Sequence, residues 1–250
     1  MRAVSILTYH SLDDSGSVLS VSPAAFAKQM KSLASAGLRG VSLRESLEQR
    51  SSTGQWPDDG VVVTFDDGYT NFMEHGLPVL RDCGFGATVF AVSAHVGKTN
   101  DWTSPPPGVG EWRLMEWDDL RTIGCAGIED GAHTETHADL TTLAPGNVQR
   151  ELVDCQQTLQ DRLGVEVATL AYPFGKLNTA AAAAAARLFR GACTTVLRRA
   201  SADDSTHLLP RIEMFYFRDT DDLAPLVTGK QETYLTLRRW GRSVKALLHA

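Results

Sequence analysis

A run of β-branched and aromatic residues, Val61-Val62-Val63-Thr64-Phe65, ends abruptly in Asp66-Asp67-Gly68. An unbroken apolar run of this length reads as a strand buried in a core. The two carboxylates at its end must then be desolvated together. Like charges this close make ionising both unfavourable, and a cation bound to one relieves the conflict. The chain offers further ligands in His133-Thr134-Glu135-Thr136-His137, two imidazoles at i and i+4. One carboxylate and two histidines with open coordination positions make a hydrolytic metal site.

The strand signal recurs along the chain. Val4–Tyr9, Thr88–Val92, Ile128–His133, Thr169–Tyr172, Ala192–Leu197 and Leu208–Met214 read as strands, with a short one at Val41–Leu43. Helices are predicted between them. The first has Ser22 as N-cap and Pro23 at its first position, and ends at Gly37. Others span Leu43–Arg50, Thr70–Cys83, Trp117–Gly124, Asn147–Leu163 and Thr179–Phe189, with a basic amphipathic helix at Glu232–Leu248.

Alternating strands and helices imply parallel strands with crossover helices, hence a barrel or a doubly wound sheet. We expect one domain over residues 1–250, with a motif-bearing core at about 4–216 and a helical tail at about 217–250. Functional groups of such folds gather at the carboxyl ends of strands. His10, Asp66, Asp67, His133 and Tyr172 all fall at predicted strand ends.

Bulk properties exclude several classes. A net charge of -6 argues against a nucleic-acid surface. No run approaches the ~18 apolar residues of a membrane span. Met1–Leu12 has no leader pattern, so the expected address is cytoplasmic. The four cysteines include no Cys-x-x-Cys pair, and buried reduced thiols are expected.

Two details refine the chemistry. A zincin motif places Glu directly after its first His, whereas Thr134 stands there, so Glu135 is not such a base. The histidine pair is instead expected to face one way on a helical turn. Asp66 and Asp67, as neighbours on an extended backbone, point apart. One would bind the metal and the other would stand beside its water as a general base.

Thr64-Phe65-Asp66-Asp67-Gly68-Tyr69, with His133-Thr134-Glu135-Thr136-His137, resembles the polysaccharide deacetylases of carbohydrate esterase family 4, the NodB homology domain. Ala171-Tyr172-Pro173-Phe174-Gly175 resembles that family's third motif, and Trp117-Asp118-Asp119-Leu120 and Leu159–Gly164 match its pattern. The resemblance covers roughly Ile6 to Met214. It is closest in style to the poly-N-acetylglucosamine deacetylase branch. Ala171 stands near the place where many members carry an Arg aimed at the catalytic Asp.

The resemblance implies a distorted (β/α) barrel and a divalent metal, usually zinc, with cobalt, nickel or iron as alternatives. Asp67, His133 and His137 would be its ligands and Asp66 the general base. For the general acid, Leu7-Thr8-Tyr9-His10 resembles the branch's Tyr-His motif, so His10 is preferred to His207. A backbone N–H near Tyr172 would serve the oxyanion. Tyr172, Pro173, Phe174 and Trp117 would contact substrate, with Tyr69, Trp102 and Trp112 as further aromatic candidates on or near the loop Thr99–Trp112. The reaction implied is hydrolysis of an N-acetyl group on a sugar or glycan, releasing acetate. A hydrolase of a non-sugar amide or ureide, or a non-catalytic carbohydrate-binding protein, are the alternatives. Arg238, Arg239 and Arg242 read as a solvated helix face.

Overall fold

The computed structural model describes residues 3–102 and 109–238. Seven parallel strands close into a barrel. In chain order the strands are β1 (Ser5–Tyr9), the short β2 (Ser11–Leu12) and β3 (Ser20–Val21), β4 (Arg39–Val41), β5 (Gly60–Phe65), β6 (Thr88–Ala91), β7 (Glu129–Ala132), β8 (Thr169–Ala171), β9 (Gly191–Leu197) and β10 (Leu209–Glu213). The sheet runs β1-β10-β9-β8-β7-β6-β5, and β5 pairs back to β1.

The barrel is distorted at β5. Its residues 61–65 pair with β1 along one edge, so β4, at 60–62, and β6, at 64–65, must share the other. β2 and β3 form a small separate parallel pair. The two sequence-level alternatives, barrel and open sheet, are thus decided by the β1–β5 closure.

Period-2 geometry explains the unbroken apolar runs. Ile6, Val62, Phe90, Ala171, Cys193 and Leu209 meet inside, with Leu43, Leu47 and Trp56 closing one end. The alternate residues Leu7, Val61, Val63, Val89 and Leu170 face outward into a second core built with the helices. Both faces of the strand are dry, so neither set can be polar.

The helices are α1 (Pro23–Ser35), α2 (Leu43–Thr53), α3 (Leu77–Cys83), α4 (Trp117–Cys125), α5 (Pro145–Leu163), α6 (Thr179–Leu188) and a short α7 (Ala224–Val227). Ser22 caps α1, its Oγ accepting from the Ala25 N–H at 3.1 Å. The helix expected from Thr70 begins as a π-helical turn, Phe72–Gly76, before α3. Pro78 has no N–H to offer the preceding turn, which disfavours a regular α-helix there. Residues 232–238 are helical, and the remainder of the expected tail helix, with Arg239 and Arg242, lies outside the described residues.

The amino ends of the barrel strands are sealed by α2. Its first turn donates Leu43 N–H to Thr88 Oγ1 at 2.8 Å and Arg44 N–H to Glu129 Oε2 at 2.9 Å. Glu129 is buried inside the barrel and also accepts from Thr88 and Thr169 hydroxyls at 2.6 and 2.7 Å. Burial still pushes its carboxyl above the ordinary range, against those hydrogen bonds. With that end closed, the opposite, carboxyl end is left to carry chemistry. Among the described residues no helix is long and apolar enough to cross a membrane. Cys155 and Cys193 are buried as expected, whereas Cys125 is exposed.

Candidate active site

The strand end of β5 places both carboxylates at the barrel mouth, 3% and 4% exposed. Asp66 continues the strand, its N–H bonded to Tyr9 O at 2.9 Å. Asp67 turns into the left-handed region at φ 74°. The sequence reading expects the two side chains to diverge along an extended backbone; they do diverge, but through this left-handed turn. Asp66 points into the barrel toward Arg211, and Asp67 points to the histidines.

His133 Nε2 and His137 Nε2 each lie 3.4 Å from Asp67 Oδ1. The ligand atoms of all three residues are within 4.8 Å of one another, and all three residues are buried. His133 Nδ1 donates to Ala171 O at 2.8 Å, which fixes the tautomer that leaves Nε2 as the free donor atom facing the cluster. Nitrogen and oxygen donors converging in this way fit a divalent cation.

The histidines do not sit on a helical turn. Thr134 at φ 66° and His137 at φ 58° make the segment an irregular loop after β7, and this is a correction to the i, i+4 helical expectation. The left-handed residues bring His137 back beside His133. The four non-glycine residues with positive φ among the described residues are Asp67, Thr134, His137 and Phe174. All four belong to this mouth, where strain concentrates when a site over-determines its backbone.

Burial alone would push the Asp67 carboxyl up, but its hydrogen bonds to His133 and His137 hold it well below the usual range. Burial likewise opposes ionisation of Asp66. The Arg211 guanidinium, helped by His133 and His10, overrides it and keeps Asp66 below its ordinary value. Nη1 and Nη2 of Arg211 reach the two Asp66 oxygens at 2.6 and 2.7 Å. Arg211 Nε donates to Thr194 O at 3.0 Å, and Nη1 also donates to Thr64 Oγ1 at 3.2 Å.

Arg211 was missed by sequence reasoning. The Arg that Ala171 lacks comes instead from β10. A signal existed, because a charged residue inside an apolar strand must be paired to stay buried.

Glu213, two residues further along β10, is the second residue the sequence reading missed. His10 lies between Asp66 and Glu213, with Nε2 3.8 Å from Asp66 Oδ2 and Nδ1 3.9 Å from Glu213 Oε1. These are ion-pair separations, longer than hydrogen bonds. Burial raises the Glu213 carboxyl, and His10 and Arg211 pull against that rise.

His207 is far from this constellation. It sits in the connection before β10, at the amino ends of the strands, with Nε2 donating to Phe189 O at 2.9 Å. Of the two histidines weighed from sequence, His10 alone lines the mouth.

A cleft of about 430 Å³ opens over Asp66, Asp67, His10 and the histidine pair. Trp102 and Phe174 flank His137, and Val18, Leu19, Phe215 and Tyr216 complete the rim. Three of the four residues expected to contact substrate do not line it. The Tyr172 ring is buried, with its hydroxyl on His207 O at 3.2 Å, and Pro173 is buried beneath the turn. Trp117 packs at the start of α4 with the Arg162 guanidinium over its ring at 5.5 Å. Its large apolar surface serves helix packing rather than the cleft. The Tyr172 N–H is also unavailable to an oxyanion, because it donates to Cys193 O at 3.0 Å in the sheet ladder. A second cavity of about 540 Å³, near Leu47, Arg50 and Arg190 at the sealed end, holds no converging acid–base or metal-ligand set.

A closed parallel barrel with a buried Asp-His-His cluster beside a second, separately paired carboxylate defines a hydrolase of the metal-site type. The sequence model of the polysaccharide deacetylase family matches residues 53–189, and the chain belongs to that family. It is 27% identical over 210 residues to a putative polysaccharide deacetylase of Bacillus subtilis, covering 84% of this chain and 70% of that one. It is 26% identical over 170 residues to a poly-beta-1,6-N-acetyl-D-glucosamine N-deacetylase of Staphylococcus aureus. That match covers 64% of this chain and only 55% of the relative. Among solved structures, the Streptococcus pyogenes deacetylase PplD superposes with a TM-score of 0.74 at 24% identity, over 85% of this chain and 92% of that one. IcaB from Ammonifex degensii gives 0.72 at 21% identity, over 89% and 98%. These two share the fold.

Proposed function

We propose that this protein hydrolyses N-acetyl groups on an N-acetylated glycan, releasing acetate and a free amine. The observation that carries this reading is the division of labour at the β5 end: Asp67 joins two histidines while Asp66, one residue earlier, is held ionised by Arg211. Membership of the polysaccharide deacetylase family supports the glycan, and similarity to the staphylococcal enzyme supports an N-acetylhexosamine polymer as its class.

Asp67, His133 and His137 would hold the cation, with Zn²⁺ expected and Co²⁺, Ni²⁺ or Fe²⁺ suited to the same donors. Bound there, it would supply Lewis acidity toward a water and the acetyl carbonyl. Asp66 accepts the proton of the attacking water at the carboxylate edge facing the cleft. Arg211 keeps that carboxylate ionised and stationary, so it is a base without prior proton loss. His10 donates from Nε2 to the departing nitrogen, because an amide anion is too poor a leaving group. Glu213, on the other side of the ring and 3.9 Å from Nδ1, balances the imidazolium charge. Phe174, at the rim of the cleft, offers an apolar surface to the sugar or its acetyl methyl group.

The test is acetate release from N-acetylglucosamine oligomers by Zn²⁺-loaded protein, with Asp66→Asn as the control. Release by the parent that falls by about 10²-fold or more in the variant, with Zn²⁺ still bound, is the expected result. No release by a Zn²⁺-binding parent from any glycan oligomer would overturn the glycan reading.

A further inference from the structure

The two histidines of the cluster are held in different ways. Ligating histidines ordinarily donate their outer ring N–H to a carbonyl or carboxylate, and that partner fixes the ring. His133 has this partner in Ala171 O at 2.8 Å. His137 is 6% exposed, and its Nδ1 has no hydrogen-bond partner among the described residues. What surrounds it instead is aromatic. The Trp102 ring stacks on it at 4.3 Å between centroids and 28° between planes. Phe174 meets it edge-on at 4.7 Å and 73°.

Trp102 is itself fixed from behind. His95 packs edge-on against it at 5.4 Å, and His95 Nδ1 lies 3.1 Å from both Thr99 O and Asp101 Oδ1. The arm that carries Trp102 is tied back to the barrel. Thr99 bridges Arg113, and Leu114 bridges Tyr69. Asn100 is 3% exposed and binds this arm at three points. Its side chain accepts from Trp112 N–H at 2.6 Å and donates to Gly110 O at 3.0 Å and Tyr69 Oη at 3.3 Å. An arm tied at these points thus delivers a flat apolar ring onto the ligand histidine whose outer ring nitrogen, among the described residues, has no hydrogen-bond partner.

We propose that Trp102 is a positioning residue for the cation site, its indole plane holding the His137 imidazole in the rotamer that aims Nε2 at Asp67. Stacking supplies the orientation that a hydrogen bond supplies to His133. The preference of aromatic pairs for defined plane geometry makes this a directional restraint and not only filled space. The inference rests on the cation reading of the cluster and not on the identity of the glycan.

The experiment measures Zn²⁺ affinity of the purified full chain, by competition with a chromophoric chelator and without substrate. The parent is compared with Trp102→Phe, Trp102→Leu and Trp102→Ala, each checked for a cooperative thermal transition. Trp102→Leu fills most of the volume without a ring plane. The expected order is Trp102→Phe within about threefold of the parent, and Trp102→Leu and Trp102→Ala weaker by about 10-fold or more, the scale of losing an outer partner of a ligand. Should Trp102→Ala fail to fold, the Phe and Leu pair decides alone. Parent-like affinity in Trp102→Leu, or equal losses in Trp102→Phe and Trp102→Leu, overturns the proposal. A parent that binds no Zn²⁺ overturns the cation reading itself, which is a different result.

Discussion

Arg211 grips Asp66 with two parallel hydrogen bonds inside the barrel, at 2.6 and 2.7 Å, and both residues are buried. The pair joins β10 to the end of β5 across the mouth. A bidentate pair of this kind fixes the carboxylate plane as well as its charge.

Removing the cation from this pair should be costly. Arg211→Met leaves a buried carboxylate uncompensated, and we expect a loss of about 3–5 kcal/mol in urea unfolding. The Asp66 carboxyl is lowered in the folded state, so its contribution is present above the ordinary carboxylate range and disappears as pH falls through the lowered value. Arg211→Met removes that acid-side dependence. It also moves the acid limb of the kcat/KM profile to higher pH, because Asp66 then protonates more readily.

His10 and His207 are separable by leaving group. His10→Ala should lower acetate release from N-acetyl sugars by about 10²–10⁴-fold, the usual contribution of a general acid. With an aryl acetate, whose leaving group departs without a proton, the loss should be much smaller. His207→Ala, at the far end of the barrel, should leave both rates unchanged. Equal losses on the two substrates for His10→Ala would remove the acid role.

Metal ligation predicts a stoichiometry. Asp67→Asn and His133→Ala should each abolish tight Zn²⁺ binding in equilibrium dialysis, with activity lost in parallel. Asp66→Asn should keep the metal. The distinction follows from the turn at Asp67, which sends the two carboxylates to different partners.

Asp130 is a buried carboxyl outside the site, and burial, reinforced by neighbouring Glu129, pushes it up to about 7. A raised acid binds its proton in the folded state first. Its stabilising effect is therefore complete below the ordinary value of 3.8 and lost as pH rises toward about 7. Asp130→Asn should be more stable than the parent at pH 8 by up to about 4 kcal/mol, and the difference should vanish near pH 4. Thermal melts at both pH values check this.

Gly175 sets the turn that presents Phe174. Its φ is +66°, and a Cβ there would lie 2.6 Å from the Thr195 backbone N. Gly175→Ala should destabilise the fold by more than about 1 kcal/mol and weaken substrate binding, as read from the melting temperature and KM.

Much of the site was legible from the chain alone. Val61 to Phe65 announced a strand dry on both faces, and the placing of His10, Asp66 and His133 at strand ends announced a common mouth. Those signals are local, because strand periodicity and strand-end position are properties of short segments. Arg211 and Glu213 were not found, since nothing within Leu209–Glu213 says which distant carboxylate or imidazole it will meet. Trp117, Pro173 and the Tyr172 N–H were assigned to substrate or oxyanion, and the structure commits them to helix packing, the turn and the β8–β9 ladder.

Sequence therefore determined the elements, their parallel order and the donor types of the cluster, because side-chain period and residue chemistry are written residue by residue. Tertiary structure decided the closure of β5 onto β1, the meeting of Asp66 with Arg211 145 positions later, and the stacking of Trp102 on His137. These are contacts between segments remote along the chain. Their geometry depends on barrel curvature and on left-handed backbone at Asp67, Thr134, His137 and Phe174, which only the packed fold can impose on side chains that locally resist it.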